Sequence, residues 1–344
     1  MTEMSYTRLG QSGLVVSRLA LGTMTFNLGS DYLPGVAQVG QDAGNEMVAK
    51  ALDHGVNFFD SADGYSSGEA EIILGKALGA RRKDNVICTK LGFRQGPTVT
   101  DAGLSRRHIM QSVDGCLTRL DTDYIDLLVL HKTDFTTPME ETLRTLDDAV
   151  KAGKLRYIGV SNWPAWQVAR AIEFQKQNGL APFVAGQYLY NAVSRDLEVD
   201  VLPMMAEMGA GLMAWSPLAG GLLTGKYDPA NLDAGDGRLA EGDFLGTDPE
   251  QAKAALGAMQ QIAKDRGETV SKVAYAWVLA KSRSHTVICG PSKLAYLEDA
   301  LGAIGVHLTQ AEVAAIDAAA TPARRYPEWF DTMMTDEIFT KALA

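Results

Sequence analysis

Cysteine is scarce here. Cys88, Cys116 and Cys289 are odd in number and far apart, and two of them lie in apolar strand-like runs. They read as buried free thiols, not as a disulfide framework. Long apolar runs are missing too. None approaches the roughly 18 residues needed to cross a bilayer, and the opening MTEMSYTRLG has neither the charged start nor the apolar middle of a secretory signal. A cytoplasmic protein is expected. Positive charge is in deficit, with 32 Lys and Arg against 42 Asp and Glu for a net charge of −10, and no basic cluster interleaves with aromatics. That pattern argues against nucleic acid and anionic membranes and in favour of a small-molecule partner. The five histidines and three cysteines show no His-x-x-x-His or Cys-x-x-Cys spacing, so no metal site is expected.

What remains is an ordinary globular composition, 46% hydrophobic and 22% charged over 344 residues. Such a chain buries roughly three quarters of its unfolded surface. Its organising signal is alternation. Short apolar, β-branched runs (SRLALGTM, NFFDSAD, NVICTK, IDLLVLHK, YIGVSN, FVAGQY, GLMAWSP and TVICGP) are separated by segments with helical spacing at 46–54, 69–79, 106–120, 139–151, 166–178, 203–208 and 270–281. Eight strand–helix units predict a single (β/α)8 TIM barrel domain spanning 1–344, with parallel strands. A doubly wound sheet would want a glycine-rich turn directly after its first strand. GAGLMA at 209–214 has roughly that glycine spacing but precedes a strand, and reads as a loop. YTRLGQSGLVVS reads as a β-hairpin capping the N-terminal mouth of the barrel. The stretches 27–43 and 226–248 are longer than a simple connection requires and read as functional loops on the C-terminal face, with 93–101 beside them.

Barrel enzymes keep their chemistry at the C-terminal strand ends, and polar residues collect there. They are Asp60 with Tyr65 shortly after, Lys90, His131, Ser161 with Asn162, Gln187, and Trp215 with Ser216. Singly, each has a structural reading: Asp60 as a turn cap, Tyr65 as a packing ring, His131 as a core hydrogen-bonder. Lys90 after VICT must reach water or find an anion. Together the first four suit proton transfer by a phenol. Tyrosine titrates near 10 and is a poor acid or base at neutral pH unless a cation lowers that value. Lys90 supplies the cation, Asp60 holds the lysine, and a neutral His131 positions a carbonyl oxygen. Protonating a carbonyl is productive only with a hydride source, so a nicotinamide or flavin is required. Ser161, Asn162 and Gln187 offer hydrogen bonds to a carboxamide, and Trp215 a flat face for a ring.

The segments LALGTM, GVNFFDSADGY, LSRRHIMQSVDGCLTRLDTDYIDLLVLHK, GKLRYIGVSNW, WSPLAGGLLTGKY and ICGPSKLAYLEDAL resemble those of the aldo-keto reductase superfamily over nearly the whole chain. The resemblance implies a (β/α)8 barrel, NADPH-dependent carbonyl reduction and its reverse, and a catalytic tetrad of Asp60, Tyr65, Lys90 and His131. It also explains GGLLTGKY, which nearly spells a phosphate-binding P-loop but has Tyr227 where a compact hydroxyl should ligate magnesium, and Pro229 where a helix should start. The resemblance instead lays Ser216, Pro217, Leu218, Gly220, Leu222, Gly225 and Lys226 along a dinucleotide pyrophosphate. It sets Gly22, Thr23, Met24 and Asp60 beside the nicotinamide ribose. Gly290, Ser292, Lys293, Tyr296 and Asp299 fall in the region of the 2′-phosphate and adenine. There Tyr296 replaces a frequent glutamine or arginine and Asp299 a frequent asparagine; NADPH is expected over NADH.

Two alternatives stay open: a cofactor-sensing subunit resembling channel-associated β subunits, and an unrelated barrel enzyme that binds no nicotinamide. The C-terminal RRYPEWF reads as packing against an end of the barrel.

Overall fold

The computed structural model describes residues 3–33, 35, 36, 38–226, 248–283, 285–322, 326–334, 336, 338, 341 and 342. Strands β1 (Tyr6–Arg8) and β2 (Val15–Ser17) form the antiparallel hairpin. Eight further strands close a parallel barrel in chain order: β3 (Leu19–Gly22), β4 (Phe58–Asp60), β5 (Val86–Leu91), β6 (Ile125–Leu130), β7 (Leu155–Ser161), β8 (Phe183–Leu189), β9 (Gly211–Trp215) and β10 (Thr286–Cys289), which returns to β3. The eight expected strands are these eight. The helices are α1 (Gln41–Asp53), α2 (Glu69–Leu78), α3 (Arg106–Arg119), α4 (Met139–Lys151), α5 (Ala165–Gln177), α6 (Val201–Met208), α7 (Pro249–Arg266), α8 (Val270–Lys281), α9 (Leu294–Gly302), α10 (Gln310–Ala319) and α11 (Glu328–Met333).

Alternation along each strand sorts side chains into two cores. Leu21, Phe59, Ile87, Leu128, Leu130, Ile158 and Val160 face the helices. Ala20, Phe58, Cys88, Leu127, Val129, Ala185, Met213 and Ile288 fill the interior, joined by Leu9, Leu14 and Val16 of the hairpin, which therefore closes the N-terminal mouth as expected. The seal is tight. Gln11 N–H donates to the Gly209 carbonyl at 2.8 Å, and a Cβ on Gly10 would lie 2.4 Å from that same oxygen. Two residues beyond the interior layer, on the same strand faces, come Asp60, Lys90, His131, Gln187 and Trp215. The barrel interior thus turns markedly polar at its C-terminal mouth.

Several boundaries differ from expectation. α1 begins at Gln41 rather than 46, so the loop after β3 ends at Gly40. Its described part is tied down by a Phe26–Val39 bridge and by the Glu69 carboxylate accepting the Leu28 N–H at 2.7 Å. The stretch 209–214 is not a loop: Gly209 is the left-handed C-cap of α6, and β9 starts at Gly211. The C-terminal aromatics are not buried in the core. Tyr326, Trp329 and Phe330 stack on one another with centroids 5.9–6.4 Å apart, and all three are exposed. Most of the 226–248 stretch, with Tyr227 and Pro229, lies outside the described residues, as do positions 34 and 37 of the earlier loop and Arg324 and Arg325 of RRYPEWF. All three cysteines are free and buried. Among the described residues no helix is long and apolar enough to cross a membrane, and no group of ligating side chains is suited to a metal ion.

Candidate active site

Asp60 ends β4, Lys90 lies near the end of β5, His131 follows β6, and Tyr65 opens a one-turn helix, Tyr65–Gly68, between β4 and α2. The structure brings these four together. Lys90 is fully buried, and its ammonium donates to Asp60 Oδ2 at 2.7 Å, the Ser61 carbonyl at 2.7 Å and Tyr65 Oη at 3.2 Å. All three of its protons are engaged. Burial works against the charge on Lys90, but Asp60 and the phenol outweigh it and hold the amine above the ordinary lysine range. Gln187 donates its amide to the other Asp60 oxygen at 2.8 Å, fixing the carboxylate from across the barrel.

The phenol departs from the simple expectation that a neighbouring cation lowers its pKa. Burial pushes Tyr65 above the ordinary 10, and the pull of Lys90, although present, is the smaller effect. At neutral pH the hydroxyl therefore keeps its proton while resting on an ammonium, as a proton donor should. His131 is pushed well below 6.5, by burial first and by Lys90 and Lys132 next, and is a neutral imidazole. Its ring meets Tyr65 edge-on at 5.7 Å and Phe93 at 4.6 Å, and its buried Nδ1 has no hydrogen-bond partner among the described residues.

The remaining strand-end residues form one chain of hydrogen bonds. Asn162 donates to the His131 carbonyl at 3.2 Å and to Ser161 Oγ at 2.8 Å. It accepts from Trp215 Nε1 at 3.2 Å, while Ser161 Oγ donates to the Gln187 carbonyl at 2.8 Å. Asn162 and Ser216 hold left-handed backbones, φ 60° and 54°, at the ends of β7 and β9. Conformations of this kind cluster at functional sites. Thr23 donates to the Asp60 carbonyl and to Ser61 Oγ, and Met24 is half-buried beside it. Gly22 has a packing reason of its own, since a Cβ there would sit 2.7 Å from Ile288.

After β9 the backbone turns through Ala219–Thr224, with Gly220 at φ 67°, Gly221 at 103° and Gly225 at 80°. Few side chains tolerate that path. Pro217 and Leu222 are buried and Leu218 half-buried, so Leu222 has only its backbone to offer a ligand. Lys226 ends this described stretch. Past β10, Gly290, Ser292 and Lys293 are exposed at the start of α9, with the Lys293 ammonium 5.8 Å from the centroid of the exposed Tyr296 ring. Asp299 stands apart from them. Its carboxylate accepts from Thr269 Oγ1 at 2.8 Å and from Ser271 Oγ, tying α9 to the start of α8.

The motif match agrees with this geometry: the family model for the aldo/keto reductase family fits residues 18–321. The chain belongs to the aldo/keto reductase family. Its relatives include probable voltage-gated potassium channel β subunits of Arabidopsis thaliana, 35% identical over 88% of this chain and 92% of theirs, and of Oryza sativa subsp. japonica, 37% identical over 84% and 88%. An uncharacterized oxidoreductase of Bacillus subtilis, YrpG, is 34% identical over 89% of this chain and 92% of its own.

Within this family member, sequence reasoning missed three supports of the site. The Ser61 carbonyl that receives Lys90 is backbone and leaves no sequence signal. Asn191, whose amide donates to the Ser216 carbonyl at 3.0 Å, follows an apolar strand as the other site residues do. The third is a buried charged cluster behind Tyr65, with Asp63, Glu71 and Arg119, which the sequence scatters over a strand end and two separate helices.

Proposed function

We propose that the protein is a nicotinamide-dependent reductase of aldehydes or ketones, working also in reverse, in which Tyr65 gives the carbonyl oxygen its proton. The observation that carries this reading is the Lys90 ammonium, fully buried and bonded at once to Asp60 and to the Tyr65 hydroxyl. A buried ion pair with excellent geometry seldom adds stability, whereas a cation held against a phenol stabilises the negative charge left when the proton departs. The neutral His131 offers a hydrogen bond to the same carbonyl oxygen without competing as an acid.

The chain also fits the cofactor. A bound reduced nicotinamide supplies the hydride that no side chain can give. Trp215, Asn162 and Ser161 would hold its ring end. The left-handed glycines 220, 221 and 225 allow a phosphate to approach the backbone, as bulkier residues would not. Ser292 and Lys293, exposed at the start of α9, would take a 2′-phosphate, which favours NADPH over NADH. The Asp299 carboxylate, engaged with α8, has no evident place in that contact. Three buried free thiols suit a reducing compartment and a cytoplasmic location.

The channel β subunits among its relatives favour a second reading, in which the same barrel binds cofactor mainly to regulate a membrane partner. The test is a tryptophan-fluorescence titration with NADPH and NADH, followed by turnover of short-chain and aromatic aldehydes. Tighter NADPH binding with steady turnover supports the reductase. Binding without turnover, together with co-purification of a membrane protein, favours the regulatory subunit, and no binding of either cofactor rejects both.

A further inference from the structure

Behind the Tyr65 turn, between the strand layer and the helices, lies a carboxyl group that the proposed chemistry does not use. Asp63 is completely buried, and among the described residues no donor makes a well-formed hydrogen bond to either side-chain oxygen, the Gly64 N–H exerting only a lesser pull on it. The charged and titratable groups around it are few. Glu71 on α2 is also fully buried, but its oxygens are taken by Thr89 Oγ1 at 2.5 Å and Arg119 Nε at 2.7 Å. Arg119 and Cys116 face it from α3, and Lys90 from β5 with its protons already engaged. A carboxylate in that position would be a buried charge with little beyond the Gly64 N–H to support it, next to a second negative charge.

The backbone around Asp63 is what places Tyr65. Asp63 N–H donates to the Lys90 carbonyl at 2.9 Å, and Tyr65 N–H to the Ala62 carbonyl at 3.2 Å. The next three residues, Ser66, Ser67 and Gly68, are all left-handed at φ 48°, 54° and 92°. Ser66 Oγ pins the turn to the Phe26 carbonyl at 2.7 Å, and Gly68 leaves room for Arg119, which a Cβ would meet at 2.5 Å. The turn is strained and held by a few contacts, with a buried acid at its root.

We propose that Asp63 is a positioning residue for Tyr65: its uncharged carboxyl lets the turn over residues 62–68 stay seated, and its ionisation drives the carboxylate toward water and lifts the phenol off Lys90. Burial, reinforced by Glu71, pushes the Asp63 carboxyl up to about 8, so the switch falls just above neutral pH. Tyr65 itself titrates above 10 and does not account for a fall in that range. The proposal rests on the reductase reading.

It is tested by the pH dependence of kcat for NADPH-driven aldehyde reduction between pH 6 and 9.5 in the full-length protein. A single ionisation loses about tenfold per pH unit beyond its midpoint. The wild type should therefore lose about tenfold between pH 7 and 9 in kcat, with KM for NADPH flat, while Asp63→Asn keeps a ratio near one. Glu71→Gln, which removes the neighbouring negative charge, should move the wild-type fall to lower pH, and it serves as the test if the Asn variant does not fold. A fall that survives Asp63→Asn, stays in place in Glu71→Gln, or appears in KM instead of kcat overturns the proposal. If no carbonyl compound is reduced at any pH, the reductase reading fails. The state of Asp63 is then read directly from the infrared difference between wild type and Asp63→Asn. A protonated-carboxyl stretch at pH 6 that vanishes by pH 10 supports a neutral Asp63, and its absence at pH 6 overturns it.

Discussion

At the scale of single residues, the site depends on which charges are buried and with whom. Lys90 and Asp60 are 0% and 3% exposed at their side chains and 2.7 Å apart. Removing the lysine strands its carboxylate in the interior. Lys90→Met should therefore cost about 3–5 kcal/mol of stability in urea unfolding as well as most of the turnover, whereas a surface pair such as Lys176 with Glu173 contributes little. Asp63 has the opposite sign. Its ordinary value is 3.8 and its folded value about 8, so the unfolded chain releases this proton first as pH rises. The contribution of Asp63 to stability is complete below about pH 4, declines between 4 and 8, and is flat above. Thermal unfolding of Asp63→Asn should accordingly lack that decline, and an unchanged slope would mean that the carboxyl is ionised well below pH 8. Lys90 was legible in the sequence because a lysine closing an apolar strand must reach water or an anion, and His131 because other polar strand ends share its rim. Asp63 was not legible: it closes the run NFFDSAD, in which Asp60 took the functional reading, and only α2 and α3 folding over it make it a buried acid.

At the scale of elements, the hairpin and the strands follow from local pattern, and the hairpin's contribution can be measured. Gly10 is left-handed at φ 61° and abuts the backbone of residues 209–211, so a methyl group meets both a conformational and a steric barrier. Gly10→Ala should lose about 3 kcal/mol, read as a lower urea midpoint with cofactor affinity retained, since the hairpin sits at the mouth opposite the site. An unchanged midpoint would mean that the seal contributes nothing. Helices α4 and α8 were legible to the residue. α7 was not named, although Asp248, Pro249 and Gly267 mark its ends. Its buried face at Ala252, Ala255, Leu256, Met259 and Ile262 has helical spacing, but exposed Ala254 and half-buried Ala258 blur the contrast between its faces. The exposed C-terminal aromatics show the converse: apolar composition near a terminus does not by itself mean full burial.

At the scale of the molecule, one alternation rule connects sequence to chemistry. Interior side chains two residues apart stack in layers, apolar through Phe58, Cys88, Val129, Ala185 and Met213, then polar at Asp60, Lys90, His131, Gln187 and Trp215. The fold was readable because every strand carries that pattern, and the place of the candidate site because the polar layer falls at the mouth where barrels bind ligands. Substrate identity was not readable, since it depends on the loops over that mouth and not on the repeating strands.

The central claim is that Tyr65 delivers the proton. The direct measurement is kcat for aldehyde reduction by Tyr65→Phe beside its NADPH affinity, followed through tryptophan fluorescence. Loss of the hydroxyl alone should lower kcat by two orders of magnitude or more, about 3 kcal/mol in barrier, while NADPH affinity stays within about twofold. Near-normal turnover in Tyr65→Phe would contradict the account.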